Sequence, residues 1–168
     1  TRVRNRMALN DYGEPKFDFG FYGSRSPRRL KSLKKLANLT GRQDAVKVVA
    51  DFKTQHERDV GMAQAKVILQ LRKFDAMGLV SSSRCNTSLC IGRPVLAEPH
   101  DLALSKPWDD VVTFSKTMDG FYNQALMMRT AWRGAHAAQF ERFKTLLSPQ
   151  ICIGDALEKV GILERASA

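Results

Sequence analysis

Cysteine and tryptophan are scarce in this chain, and long apolar runs are missing altogether. Three cysteines in 168 residues are too few for the disulfide framework of a small secreted domain. No segment approaches the ~20 consecutive apolar residues that a membrane-spanning helix requires. A hydrophobic fraction of 43% beside 26% charged residues excludes a disordered chain, and this length is enough to bury a core without metal or disulfide staples. The phosphate-cradling G-x-x-x-x-G-K-[ST], the dinucleotide G-x-G-x-x-G, the nucleophile elbow G-x-S-x-G and the zinc motif H-E-x-x-H do not occur.

The remaining candidates for chemistry are sparse. Cys85 and Cys90 stand in C-x4-C spacing, with His100 ten residues on and Cys152 far away. Structural zinc usually takes tighter pairs, so free thiols are the favoured reading over a metal site or a Cys85–Cys90 disulfide. His56 and His136 fall on or beside apolar seams and read as hydrogen-bonded core residues. Asp109 and Asp110 follow Pro107 and read as acids facing the positive end of a helix. No catalytic residue, metal site or cofactor is expected, and neither is a small-molecule substrate.

What the chain does have is cationic charge, unevenly placed. Residues 1–42 hold eleven Lys/Arg against three acids, and residues 43–168 hold sixteen against fourteen. Residues 1–26 lack sustained periodicity and are broken by Gly13, Pro15, Gly20 and Gly23, so they read as an extended arm. From Ser26 the pattern becomes helical: a capping serine, Pro27 at the first position, apolar Leu30, Leu33 and Leu36, and Gly41 as the stop. The narrow stripe of Leu30, Leu33, Leu36 and Ala37 favours packing on the chain's own domain over lying on a membrane.

Further along, apolar residues recur every three or four positions from Val49 to Phe74, which predicts a long helix over about 44–77 ending at Gly78. The Ser-, Pro- and Gly-containing stretch 81–100 reads as a connection. A second seam, Val111 through Met118, Phe121, Ala125, Met128, Trp132 and Ala135, predicts another long helix. Ile151, Leu157, Val160 and Leu163 suggest a last helix. The expected fold is therefore all-α: an antiparallel hairpin of long helices flanked by short ones, with 1–42 as a basic arm and helix, and 43–168 as the helical domain. The segment 110–121 resembles the first helix of a pentatricopeptide repeat, but no second helix follows it in repeat order.

Function is read from the arm. Arg2, Arg4, Arg6, Lys16, Arg25, Arg28, Arg29, Lys31, Lys34, Lys35 and Arg42 supply charges for phosphate, with Phe17, Phe19, Phe21 and Tyr22 interleaved for stacking or docking. The composition is similar in style to organellar ribosomal proteins. The expectation is a non-enzymatic structural component of a ribonucleoprotein particle, its arm on RNA and its helices on neighbouring proteins. Alternatives are an accessory subunit of a mitochondrial membrane complex, or a self-assembling helical nucleoprotein or capsid protein. A first residue other than Met fits an import sequence having been removed, hence a mitochondrial expectation.

Overall fold

The computed structural model describes residues 12–74, 80–100 and 105–147. Its centre is a sheet, not a helical hairpin. Five strands, β1 (Phe17–Tyr22), β2 (Val46–Val49), β3 (Ala65–Gln70), β4 (Val95–Ala97) and β5 (Thr113–Phe114), run parallel in the order β2-β1-β3-β4-β5. Between and after them lie α1 (Pro27–Thr40), α2 (Gln55–Ala63), α3 (Ser82–Cys90), α4 (Met118–Met128) and α5 (Trp132–Leu147). The fold is α/β and Rossmann-like, and the all-α expectation is wrong.

The segment expected to be a free arm supplies the strand flanked by β2 and β3. In FDFGFY, Phe19 and Phe21 are almost completely buried. Phe19 stands in register with Val46 on one side and Val67 on the other. Alternation explains the packing, since successive side chains leave opposite faces of a strand. Phe19 and Phe21 meet Leu33 and Leu36 of α1 and Phe121, Tyr122 and Ala125 of α4. On the other face Gly20 leaves room: a Cβ there would lie 2.8 Å from the side chains of both Ala65 and Ile68. That face packs Met62 and Ala63 of α2 with Ile91. Beyond it, Cys85 and Leu89 of α3 pack with Trp108 and Val111, and with Phe140 and Phe143 of α5. Helices therefore cover both sides of the sheet, as an all-parallel sheet requires.

The predicted helix over 44–77 is instead β2, α2 and β3. AKVILQ is buried at all but one position, as expected of a strand covered on both faces, and the edge strand VKVV is apolar at three of its four positions; counting by threes and fours along such stretches finds a helical seam that is not there. Thr54 breaks the run. Its hydroxyl accepts from the Glu57 amide at 3.1 Å, and the Glu57 carboxylate accepts from the Lys53 amide at 2.8 Å, a close relative of the capping box. Likewise, the connection over 81–100 contains α3 and β4. The second predicted long helix is interrupted by β5 and restarted at Thr117, whose side chain accepts from the Gly120 amide. Only α1 follows its expected course: Ser26 caps it, Pro27 opens it, and Gly41 closes it at φ 68°.

One buried amide ties the outer strands together. Gln139 of α5 accepts from the Val95 amide and donates to the Val95 carbonyl, both at 2.8 Å, and also donates to the Thr113 hydroxyl at 2.9 Å. It secures the first residues of β4 and β5 where the sheet is narrowest. The expected helix carrying Ile151, Leu157, Val160 and Leu163 lies outside the described residues, as do Gly78 and Cys152.

Candidate functional site

In a parallel sheet of order 2-1-3-4-5, the connections from β1 and β3 leave in opposite directions, and a crevice opens beyond their carboxyl ends. Two segments form its walls here, residues 23–26 after β1 and residues 71–74 after β3. The Ser26 hydroxyl joins them by donating to the Lys73 carbonyl at 3.4 Å. β4 ends beside them with Glu98 and His100.

Glu98 is fully buried. One of its oxygens accepts from Arg28 Nη1 at 2.7 Å and from the Arg72 backbone amide. Arg28 also donates to the Arg72 carbonyl at 3.2 Å. Arg29, buried beside it, donates to the Leu71 carbonyl at 3.1 Å and to the Ser24 carbonyl and hydroxyl at 3.1 and 2.9 Å. Burial lowers the Arg29 pKa from its ordinary value; the Glu98 charge opposes that and the Arg28 charge adds to it.

Arg84 reaches the same place from α3, donating to the Gln70 side-chain carbonyl. Its guanidinium lies over the Phe21 and Tyr22 rings at 5.2 and 5.7 Å. Burial, followed by the Arg29 charge, brings its pKa down to about 10. Gly23 makes this approach possible. It sits at φ 140°, and a Cβ there would lie 2.9 Å from Arg84 Nη2. The glycine is required twice over, by conformation and by space.

His100 donates from Nδ1 to the Glu98 carbonyl at 2.5 Å and meets Phe114 edge-on. Burial pushes its pKa below the ordinary histidine value. The ring is therefore neutral near pH 7, and its Nε2 carries a lone pair.

Charge decides which end of the sheet is the site. Around the loops after β1 and β3 at the carboxyl edge gather Arg25, Arg28, Arg29, Arg72, Lys73 and Arg84, and Glu98 pairs there with Arg28 and Arg72; Asp51, Glu57 and Asp59 stand at the same edge after β2, Asp59 paired with Arg58. The amino edge holds an open cavity of about 630 Å³, and its cations are drawn into ion pairs. Asp18 pairs with Lys66, Arg129 and Arg42 at 2.7, 3.2 and 3.9 Å. Arg42 also pairs with Asp44, and Arg133 with Glu14. Surplus positive charge, the property that recruits an anion, belongs to the carboxyl edge.

The residues expected to grip RNA are not brought together. Arg25, Arg28 and Arg29 lie at the crevice, and Lys31, Lys34 and Lys35 lie on the outer face of α1. Lys16 and Arg42 belong to the opposite end of the sheet. Arg2, Arg4 and Arg6 lie outside the described residues. Phe19 and Phe21 are core residues, Phe17 carries Lys47 over its ring, and Tyr22 packs on Phe52 at 5.1 Å. Of the metal candidates, Cys85 is a buried free thiol and the Cys90 thiol donates to Asn86 Oδ1 at 3.4 Å. Burial pushes the Cys85 pKa up to about 12. Among the described residues no cluster of three or more His, Cys, Asp or Glu could hold a metal. His56 is exposed at the start of α2, and His136 bonds the Leu89 carbonyl at 3.0 Å.

Arg72, Arg84 and Glu98 were not singled out from the sequence. For Arg72 and Glu98 the signal is positional, just beyond the ends of β3 and β4, and Arg84 lies in the first turn of α3; it is visible only once the strands are recognised.

No protein-family model matches the chain. An uncharacterized protein of Acanthamoeba polyphaga mimivirus is 31% identical over 81 residues, covering 48% of this chain and 27% of that protein. The solved structure of TarM superposes with a TM-score of 0.52 at 9% identity, over 95% of this chain and 32% of that one. The chain thus spans about a third or less of the proteins it matches. At this identity the likeness to TarM establishes the fold. It also overturns the structural ribonucleoprotein reading and its alternatives. The ribonucleoprotein reading, and the all-α label attached to it, needed an all-helical scaffold with a free aromatic arm, and those aromatics are part of β1.

Proposed function

We propose that this chain is an α/β module of a glycosyl-transferring enzyme, and that its carboxyl-edge crevice holds the phosphate groups of an activated sugar donor. One observation carries the reading: arginines from three elements gather at the strand switch point, Arg28 and Arg72 on the buried Glu98 carboxylate, Arg29 on the Leu71 and Ser24 carbonyls, and Arg84 on Gln70. Guanidinium groups suit phosphate because their paired N–H groups match two of its oxygens. Transfer of a sugar breaks the bond between its anomeric carbon and a phosphate oxygen, leaving negative charge on that oxygen. Cations already fixed in place stabilise such charge without reorganising.

The roles divide by exposure. Arg25 and Lys73 are exposed and Arg28 is half-buried, so these three reach a ligand. Glu98 and Arg29 are positioning residues that hold Arg28 and the two loops. The likeness in fold to TarM, a glycosyltransferase, supports the reaction class. The test is calorimetric titration with inorganic pyrophosphate and with a nucleoside diphosphate. Binding of both, weakened about tenfold or more by R28M, supports the proposal. Absence of binding at low salt overturns it.

A further inference from the structure

The outward face of α1 is the other concentration of unanswered charge. Its fourteen residues, PRRLKSLKKLANLT, contain no acid. Leu33, Leu36 and Ala37 turn inward, and Arg29 and Ser32 are buried with them. The exposed arc consists of Pro27, Leu30, Lys31, Lys34, Lys35, Asn38 and Leu39. At 100° per residue, Leu30 and Leu39 stand at its two edges with the three lysines between them. Both leucines are unusually open, at 43% and 48% exposed. Lys35 lies over Tyr122 and 3.5 Å from the exposed Asp119. Lys31 and Lys34 have no ion pair among the described residues.

A solvated helix face ordinarily mixes signs, because i to i+4 pairs of opposite charge stabilise it. This one is uniformly cationic and bordered by apolar side chains. We infer that the outer face of α1 docks on an anionic lipid surface, with Lys31, Lys34 and Lys35 turned to the headgroups and Leu30 and Leu39, at the two rims of the lysine arc, packing among the headgroups on either side. The alternative polyanion, nucleic acid, fits less well. Phosphodiester backbones give exposed leucines nothing to bury against, and this arc carries neither an aromatic ring to stack nor an arginine fork. Lysine point charges beside apolar anchors are the chemistry of a peripheral membrane contact. The surface is distinct from the crevice, so the two can be tested separately.

The experiment is vesicle flotation of the whole chain with phosphatidylcholine alone, and with phosphatidylcholine mixed with phosphatidylglycerol. Flotation with the mixed vesicles only, lost as salt is raised, is expected. K31Q/K34Q/K35Q should weaken it by about 100-fold, from roughly fivefold per cation at an anionic surface. L30S/L39S should weaken it at both low and high salt. Circular dichroism and retained pyrophosphate binding would show that each variant is folded with its crevice intact. Flotation unchanged in both variants overturns the inference. So does a chain that ignores anionic vesicles but binds RNA through the same three lysines.

Discussion

Replacing Glu98 tests the architecture of the crevice more sharply than replacing any arginine. Its carboxylate is wholly buried and accepts two charge-assisted bonds, from Arg28 and from the Arg72 amide. Such bonds contribute about 1.5–3 kcal/mol each, and breaking a buried pair costs about 3–5 kcal/mol when the partner cannot reach water. Arg28 partly can, its side chain being 21% exposed, and it keeps its bond to the Arg72 carbonyl. The expected loss for E98A is therefore about 2–4 kcal/mol. E98Q should lose about half of that, because its amide oxygen still accepts. Urea unfolding gives both values. In a double-mutant cycle, E98A and R28M together should cost about 1–3 kcal/mol less than the sum of the two. If E98A unfolds within ~0.5 kcal/mol of the parent chain, Glu98 does not organise the site and the reasoning fails.

Four other consequences follow from the structure. Q139A removes three hydrogen bonds and strands both backbone groups of Val95, so it should cost about 2–4 kcal/mol and speed exchange of the Val95 amide. Glycine position matters in opposite senses. G23A, at positive φ and against Arg84, should destabilise by about 1–3 kcal/mol. G134A, with nothing within 4 Å in an exposed stretch of α5, should stabilise by ~0.5–1 kcal/mol; thermal unfolding reads both. The Cys85 thiol, pushed up to about 12 by burial, should resist iodoacetamide in the folded chain and alkylate on unfolding, as mapped by peptide mass spectrometry. His100 and His136 both have folded pKa values lowered by burial. The unfolded chain therefore binds more protons, and stability should fall as pH drops below about 6.5. H100Q/H136Q should flatten that slope, and an unchanged slope would refute the assignment.

Legibility in the sequence followed local chemistry. α1 could be read because its signals are all contiguous: a capping serine, a first-turn proline, spaced leucines and a terminating glycine. The strands could not, because a strand buried on both faces loses the alternation that identifies one. Val46–Val49 and Ala65–Gln70 offered apolar residues at almost every position, and any period could be drawn through them. FDFGFY does alternate, but its neighbouring glycines and the basic run after it drew it into an arm. Arg25, Arg28 and Arg29 are among the cations that the sequence offers for phosphate, and they lie together at the crevice. Their partner carboxylate and the two further arginines arrive from distant strands and a helix, and only the sheet order places them together.

Titration of inorganic pyrophosphate into paired variants addresses the central claim most directly. R25Q/R28Q should abolish binding, whereas K31Q/K34Q/K35Q, which removes more charge and all of it from α1, should leave the affinity within about threefold. Equal losses in the two variants would mean that anions respond to the general charge of α1, and that the carboxyl edge of the sheet is not a built phosphate site.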